Sequence, residues 1–214
     1  MQYRTQNNML KIGITGGIGS GKSEICKIIE KLGSKVIYAD NLAKDILDTD
    51  EEVKKRVKKE FGEDIYLSEG CVDRKKLAKL IFNDETLKSN LENIIHPNVI
   101  KHIQNIFKKL EGKHKTQLIF LEAALIYESK VNEILDYVIV VYAPEELCIK
   151  RVMNRDNTKS ANVLSRLKSQ MPPEIKISKA DFIIHNDENL LKLETNVKFI
   201  HNILNKLAEK SNES

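Results

Sequence analysis

The chain of 214 residues is 41% hydrophobic and 31% charged, and 35 Lys and Arg against 31 Asp and Glu leave a net charge of +4. That bounds it to one main globular domain with room for a smaller inserted unit. Near-balanced charge and 6% aromatics argue against nucleic-acid binding, and no apolar run reaches membrane-spanning length. Cys26, Cys71 and Cys148 are odd in number and widely spaced, which fits neither a disulfide framework nor a zinc site and points to a reducing cytoplasm.

Residues 1–8 are polar and lack the apolar core of a signal peptide, so Met9 reads as the working start after a loose leader. From Met9 an apolar strand, Lys11 to Thr15, runs into Gly16-x-x-x-x-Gly21-Lys22-Ser23, the phosphate-cradling loop of nucleotide-binding proteins. Glycines let backbone N–H groups turn inward around an anion, the following helix presents its positive dipole end, and Lys22 adds a full charge. Gly17, Ile18, Gly19, Ser20, Gly21, Lys22, Ser23 and Glu24 are the candidate nucleotide contacts, with the Ser23 hydroxyl offered to Mg²⁺. Glu24 to Leu32 then places Ile25, Ile28, Ile29 and Leu32 on one helical face.

Further strands are expected at Lys35 to Tyr38, Gln117 to Leu121, Tyr137 to Tyr142 and Asp181 to His185. Strands alternating with helices predict a doubly wound α/β fold with a five-stranded parallel sheet. The second connection, 41–116, is far longer than one crossover helix and reads as an inserted helical unit. Asp73 is placed as the N-cap of Arg74 to Phe82, Leu87 to Ile95 continue the apolar stripe, and Pro97 is expected to perturb or break the helix. After the fourth strand Pro144 starts a helix, Asn154 to Ala161 reads as a polar cover, and Pro172-Pro173 blocks helix continuation. A closing amphipathic helix spans Asn189 to Leu207, leaving 208–214 as a flexible tail. The expected division is a nucleotide-binding core of 9–47, 115–150 and 180–207, a helical substrate domain of 48–114 and a lid region of 151–179.

Ligands of such sheets bind beyond the strand C-terminal ends. Asp40 follows the second strand directly and is the candidate general base, with helix capping as its structural alternative. Arg151, Arg155 and Arg166 follow the fourth strand, and a loose phosphoryl-transfer transition state needs positive charge around its equatorial oxygens. Glu122 and Glu128 close the third strand and its loop as candidates for metal or substrate contact, whereas His96 before Pro97 reads from the residues alone as structural. The residues leave the acceptor open: a small-molecule kinase, a nucleoside or nucleotide kinase of the same fold, or a nucleotide-switched binding module. Monomer and homo-oligomer are equally open.

Taken together, these motifs resemble the dephospho-coenzyme A kinase family. The specific stretches are Asp73-Arg-Lys-Lys-Leu-Ala-Lys-Leu-Ile-Phe82 with Leu91-Glu-Asn-Ile-Ile-His-Pro97, Tyr38-Ala39-Asp40, Arg151-x-x-x-Arg155-Asp156, Arg166-x-x-x-Gln170 and Ala180-Asp181 through Asn186. The resemblance implies transfer of the ATP γ-phosphoryl group to the ribose 3′-hydroxyl of dephospho-CoA, with Mg²⁺ held at Ser23. It implies Asp40 as base, Lys22, Arg155 and Arg166 as catalytic cations, and Arg74, Lys75, His96 and Glu122 beside Asp40 on the substrate side. Two departures stand out: Tyr38 replaces the first acid of the family's Asp-x-Asp, and Glu122-Ala-Ala-Leu-Ile-Tyr-Glu128 replaces Asp-x-Pro-Leu-Leu-Phe-Glu.

Overall fold

Five apolar runs pair side by side into one all-parallel sheet. The computed structural model describes residues 9–82, 84–111 and 117–213; the leader 1–8 and residue 214, both expected to be flexible, lie outside the described residues. The strands are β1 (Leu10–Thr15), β2 (Lys35–Tyr38), β3 (Leu118–Glu122), β4 (Tyr137–Tyr142) and β5 (Phe182–His185), in the order β2-β3-β1-β4-β5. From β1 the chain leaves toward the β2 edge and from β4 toward the β5 edge, so the carboxyl ends of β1 and β4 form the switch point where such sheets bind ligands. Ile14 and Tyr38 both pair with Glu122, which brings the ends of β1, β2 and β3 level.

The inner strands are buried on both faces, which is why they read as nearly continuous apolar runs. One face is covered by α1 (Lys22–Lys31) and by α9 (Leu190–Glu213), further along the chain, whose Ile25, Ile29, Leu193, Val197 and Leu204 close on Ile12, Ile14 and Phe120. The tail expected from residue 208 is instead the last part of α9, because Ala208 extends the Leu204 stripe into this core and is fully buried.

Two compact units are resolved: residues to Tyr38 together with those from Lys109 onward form the sheet unit, and Ala39–Lys108 the second. The second contains α2 (Ala39–Thr49), α3 (Glu51–Phe61), α4 (Arg74–Phe82) and most of α5 (Glu85–Leu110). The boundary placed at residue 48 would leave α2 with the core, yet its end is sewn to the segment before α4. Tyr66 donates to Leu47 O at 3.0 Å, the Val72 N–H donates to Asp48 Oδ1 at 3.0 Å, and Arg74 pairs with Asp48 Oδ2 at 2.5 Å. Asp73 caps α4 as expected, accepting from the Lys75 and Lys76 N–H groups.

Pro97 does not break α5, which runs unbroken through it. A proline inside a helix deletes the donor for the carbonyl four residues back, but the buried stripe Leu91, Ile94, Val99, Ile103 and Phe107 runs through it and holds both halves in one helix. In the sheet unit the polar run 154–161 is likewise mostly helical. Here α6 (Glu145–Asp156) and α7 (Ser160–Lys168) meet at Asn157, whose left-handed backbone (φ 47°) turns the chain. Pro173 then starts the short α8 (Pro173–Ser178).

His201 on α9 fastens this core. Its Nε2 lies 2.8 Å from Ser34 Oγ, its Nδ1 3.1 Å from Asn205 Nδ2, and its ring stacks on Phe120. Burial lowers its basicity from the usual value of 6.5, so the unfolded chain takes a proton that the folded protein resists. Its contribution is therefore full above about pH 6.5 and declines as the pH falls through that value. Thermal melts from about pH 7.5 to about pH 5 should fall more steeply for the parent than for His201→Gln; parallel curves would remove this role.

Candidate active site

The loop after β1 has the shape its glycines demand. Gly16 (φ 152°) and Gly21 (φ 97°) lie where side chains are strained, and a Cβ would stand 2.3 Å from Val141 O at the first and 2.0 Å from Asn186 Nδ2 at the second. Gly21 also precedes the first turn of α1, whose leading N–H groups have no partner within the helix. Lys22 Nζ donates to Gly16 O at 2.9 Å and Gly17 O at 3.2 Å, folding its charge over the loop mouth. Asn186, just past β5, donates through Nδ2 to Ser20 O at 2.8 Å and through its backbone N–H to Tyr142 O, which ties the loop to the switch point. The result is a rigid, positively polarised nest suited to phosphate oxygens.

The three arginines separate into two environments. Arg155 chelates Asp156 (Nε to Oδ1 2.7 Å, Nη2 to Oδ2 3.0 Å) and Arg166 reaches the same carboxylate at 3.5 Å, with both side chains about 60% exposed (61% and 60%). Hydrogen bonding from Arg155 holds the Asp156 carboxyl below its usual range, against a smaller opposing effect of desolvation. Arg151 instead lies against the loop: its Nη1 is 3.9 Å from the Cβ position of Gly21, buried and without a hydrogen-bond partner. A buried guanidinium nitrogen with no acceptor is costly unless a ligand supplies one. Between Gly17 and Ser20, the end of β4 at Val141 and the segment of Leu164, Leu167 and Gln170 lies a pocket of about 450 Å³.

Glu122, at the end of β3, is only 8% exposed. The neighbouring Tyr38 phenol is pushed up by burial first, then by Cys26, by a hydrogen bond with Glu30 and by the Glu122 charge. A neutral Tyr38 thus stands where the resemblance leads one to expect an acid. Glu128 has a role its spacing did not reveal: Oε1 accepts from the Met171 N–H at 2.9 Å and from Lys176 Nζ at 2.9 Å, while Lys176 also donates to Ala124 O at 2.6 Å. Burial raises the Glu128 carboxyl, but these donors together bring it below its usual range. Lys176, 1% exposed, was missed because a lysine on a short polar helix carries no sequence signal of burial.

The remaining candidates lie in the second unit. Asp40 is exposed in the first turn of α2, which begins at Ala39, so it sits inside the helix rather than capping it. Arg74 is engaged by Asp48 and by Lys44 O, the Lys75 side chain is exposed, and His96 is half-buried on α5.

A five-stranded parallel sheet in this order, with a phosphate loop leaving its central strand and an arginine nitrogen buried against that loop, defines a P-loop kinase fold. The fold alone is shared with the shikimate kinase from Acinetobacter baumannii, at TM-score 0.55 and 15% identity over 94% of this chain and 96% of that one. The dephospho-CoA kinase family model matches residues 10–192, and the chain belongs to the dephospho-CoA kinase family. It is 37% identical over 179 residues to the dephospho-CoA kinase of Carboxydothermus hydrogenoformans, covering 84% of this chain and 86% of that protein. The solved dephospho-CoA kinase from Campylobacter jejuni is 35% identical, with a TM-score of 0.69 over 92% of this chain and 98% of that one. Among the described residues no helix is long and apolar enough to cross a membrane.

The clamp on Lys176 has a measurable worth. Lys176→Met removes the ammonium from Glu128 and from Ala124 O, and should lower unfolding stability by about 3 kcal/mol; a denaturation midpoint equal to the parent's would show that the pair contributes nothing.

Proposed function

We propose that the chain transfers the γ-phosphoryl group of ATP to the ribose 3′-hydroxyl of dephospho-CoA, giving CoA and ADP, in the final step of coenzyme A synthesis in the cytoplasm. The carrying observation is the family match over residues 10–192 on a chain whose phosphate loop is intact. Three free cysteines, two of them buried, suit a reducing compartment.

The loop amides and the first turn of α1 bind the β and γ phosphates, and Lys22 exchanges its loop carbonyls for phosphate oxygens. Asp40 takes the proton of the 3′-hydroxyl as that oxygen bonds to the γ-phosphorus and the bond to the β–γ bridging oxygen breaks, releasing ADP. Arg151 lies against the loop and offers its buried Nη1 to the phosphates. Arg155 and Arg166 reach the transferring group from the lid, exchanging the shared Asp156 for it. Arg74, Lys75, His96 and Glu122 serve the acceptor side.

The donor fits Mg²⁺: Ser23, exposed at the head of α1, supplies a hard hydroxyl oxygen, in keeping with an ion bound mainly by phosphates and water. When bound, Mg²⁺ at Ser23 would neutralise charge on the phosphate oxygens.

The reading is tested by ADP release with Mg-ATP and a panel of acceptors. Dephospho-CoA should support turnover with stoichiometric CoA, whereas nucleosides and nucleotides should not; turnover with a nucleoside alone would move the chain to another kinase class. Asp40→Asn should retain ATP affinity and lose about 10²- to 10⁴-fold in kcat; a kcat within a few-fold of the parent would remove Asp40 as base. Arg151→Met should lower kcat more than Arg155→Met, because Arg151 holds a buried guanidinium nitrogen against the loop whereas Arg155 is exposed on Asp156. The reverse order would return the principal role to Arg155.

A further inference from the structure

The segment joining α7 to α8 is moored to the phosphate loop by a contact that involves none of the arginines. Gln170 Oε1 accepts a hydrogen bond from the Ile18 backbone N–H at 3.1 Å. A Cβ at Gly17 would lie 3.6 Å from Leu167 Cδ2 and 3.9 Å from Gln170 Oε1, so the end of α7 rests on the first half of the loop. The base beneath Gln170 is itself fixed, since the next residue, Met171, gives its N–H to Glu128, which Lys176 holds in turn. The carboxamide therefore projects from an anchored point and cannot drift far from Ile18.

A backbone N–H is a single donor, and Gln170 already occupies that of Ile18. Phosphate binding then rests on the remainder of the loop, the Lys22 ammonium and the positive end of the α1 dipole. A carboxamide suits the place because it accepts the N–H without setting a negative charge beside a triphosphate, as a carboxylate would.

We infer that Gln170 is a positioning residue: it tethers the base of the α7 segment to Ile18, so that the segment closes in register over the bound nucleotide and keeps water from the γ-phosphorus. Without the tether the loop still binds ATP, but the cover seats poorly, transfer slows and water competes with the acceptor hydroxyl. This role rests on the phosphoryl-transfer reading above; the tether does not, and the two are measured separately.

Amide exchange at Ile18, followed by NMR in the nucleotide-free protein, reads the tether without any substrate. Protection is expected in the parent and in Gln170→Glu, which keeps an acceptor, and is lost in Gln170→Leu. Parent turnover of dephospho-CoA checks the underlying reading. With that acceptor, Gln170→Leu should lose about tenfold in kcat, keep its KM for ATP within about twofold, and hydrolyse a larger share of ATP without transfer. Gln170→Glu should keep Ile18 protected while raising the KM for ATP, because its carboxylate opposes the triphosphate. Unchanged Ile18 exchange in Gln170→Leu would abolish the tether. Unchanged kcat and coupling, or a rise in KM for ATP that accounts for the whole loss, would overturn the positioning role.

Discussion

An anion can be held by backbone amides only where the chain turns its N–H groups to one side, and that constraint organises this protein. At Gly16 and Gly21 the turn needs backbone angles that other residues rarely adopt and leaves no room for a Cβ against Val141 O or Asn186. The rest of the sheet unit keeps that geometry. Central β1, hydrogen-bonded to β3 and β4, aims the loop; Asn186 past β5 holds Ser20; and α1 supplies the positive end of its dipole. Binding then costs little reorganisation, which is what an electrostatic site requires of its scaffold.

Around the fixed loop the charges are held with different firmness. Arg155 and Arg166 share Asp156 in exposed pairs, and such pairs contribute little and exchange partners readily. Arg151 Nη1 and the Lys176 ammonium paired with Glu128 are buried, where an unmatched group is costly. Firm anchors at the base of the segment with weakly held charges at its far end is the arrangement expected of a cover that must seat accurately and still exchange its contacts.

Much of this was legible in the letters. The inner strands, buried on both faces, announce themselves as apolar runs, and all five strands stand where the pattern put them, within a residue or two. The loop was read from glycine spacing because its chemistry leaves few substitutes. What failed depended on distant partners. The proline signal at 97 is local and takes no account of the buried stripe that runs through it, and nothing near Ala208 says that the core continues beneath it. The polar run 154–161, read as a cover, gave no sign that most of it is helical, because those turns are exposed. Lys176 and Gln170 are ordinary polar residues in sequence, and the fold alone brings them to Glu128 and Ile18.

The central claim is that this loop, as folded, grips a nucleotide triphosphate. Isothermal titration of the purified, folded chain with ATP in the presence of Mg²⁺ tests it most directly. Saturable binding of one ATP per chain is the predicted result; a folded chain that takes up no ATP would contradict the account at its root.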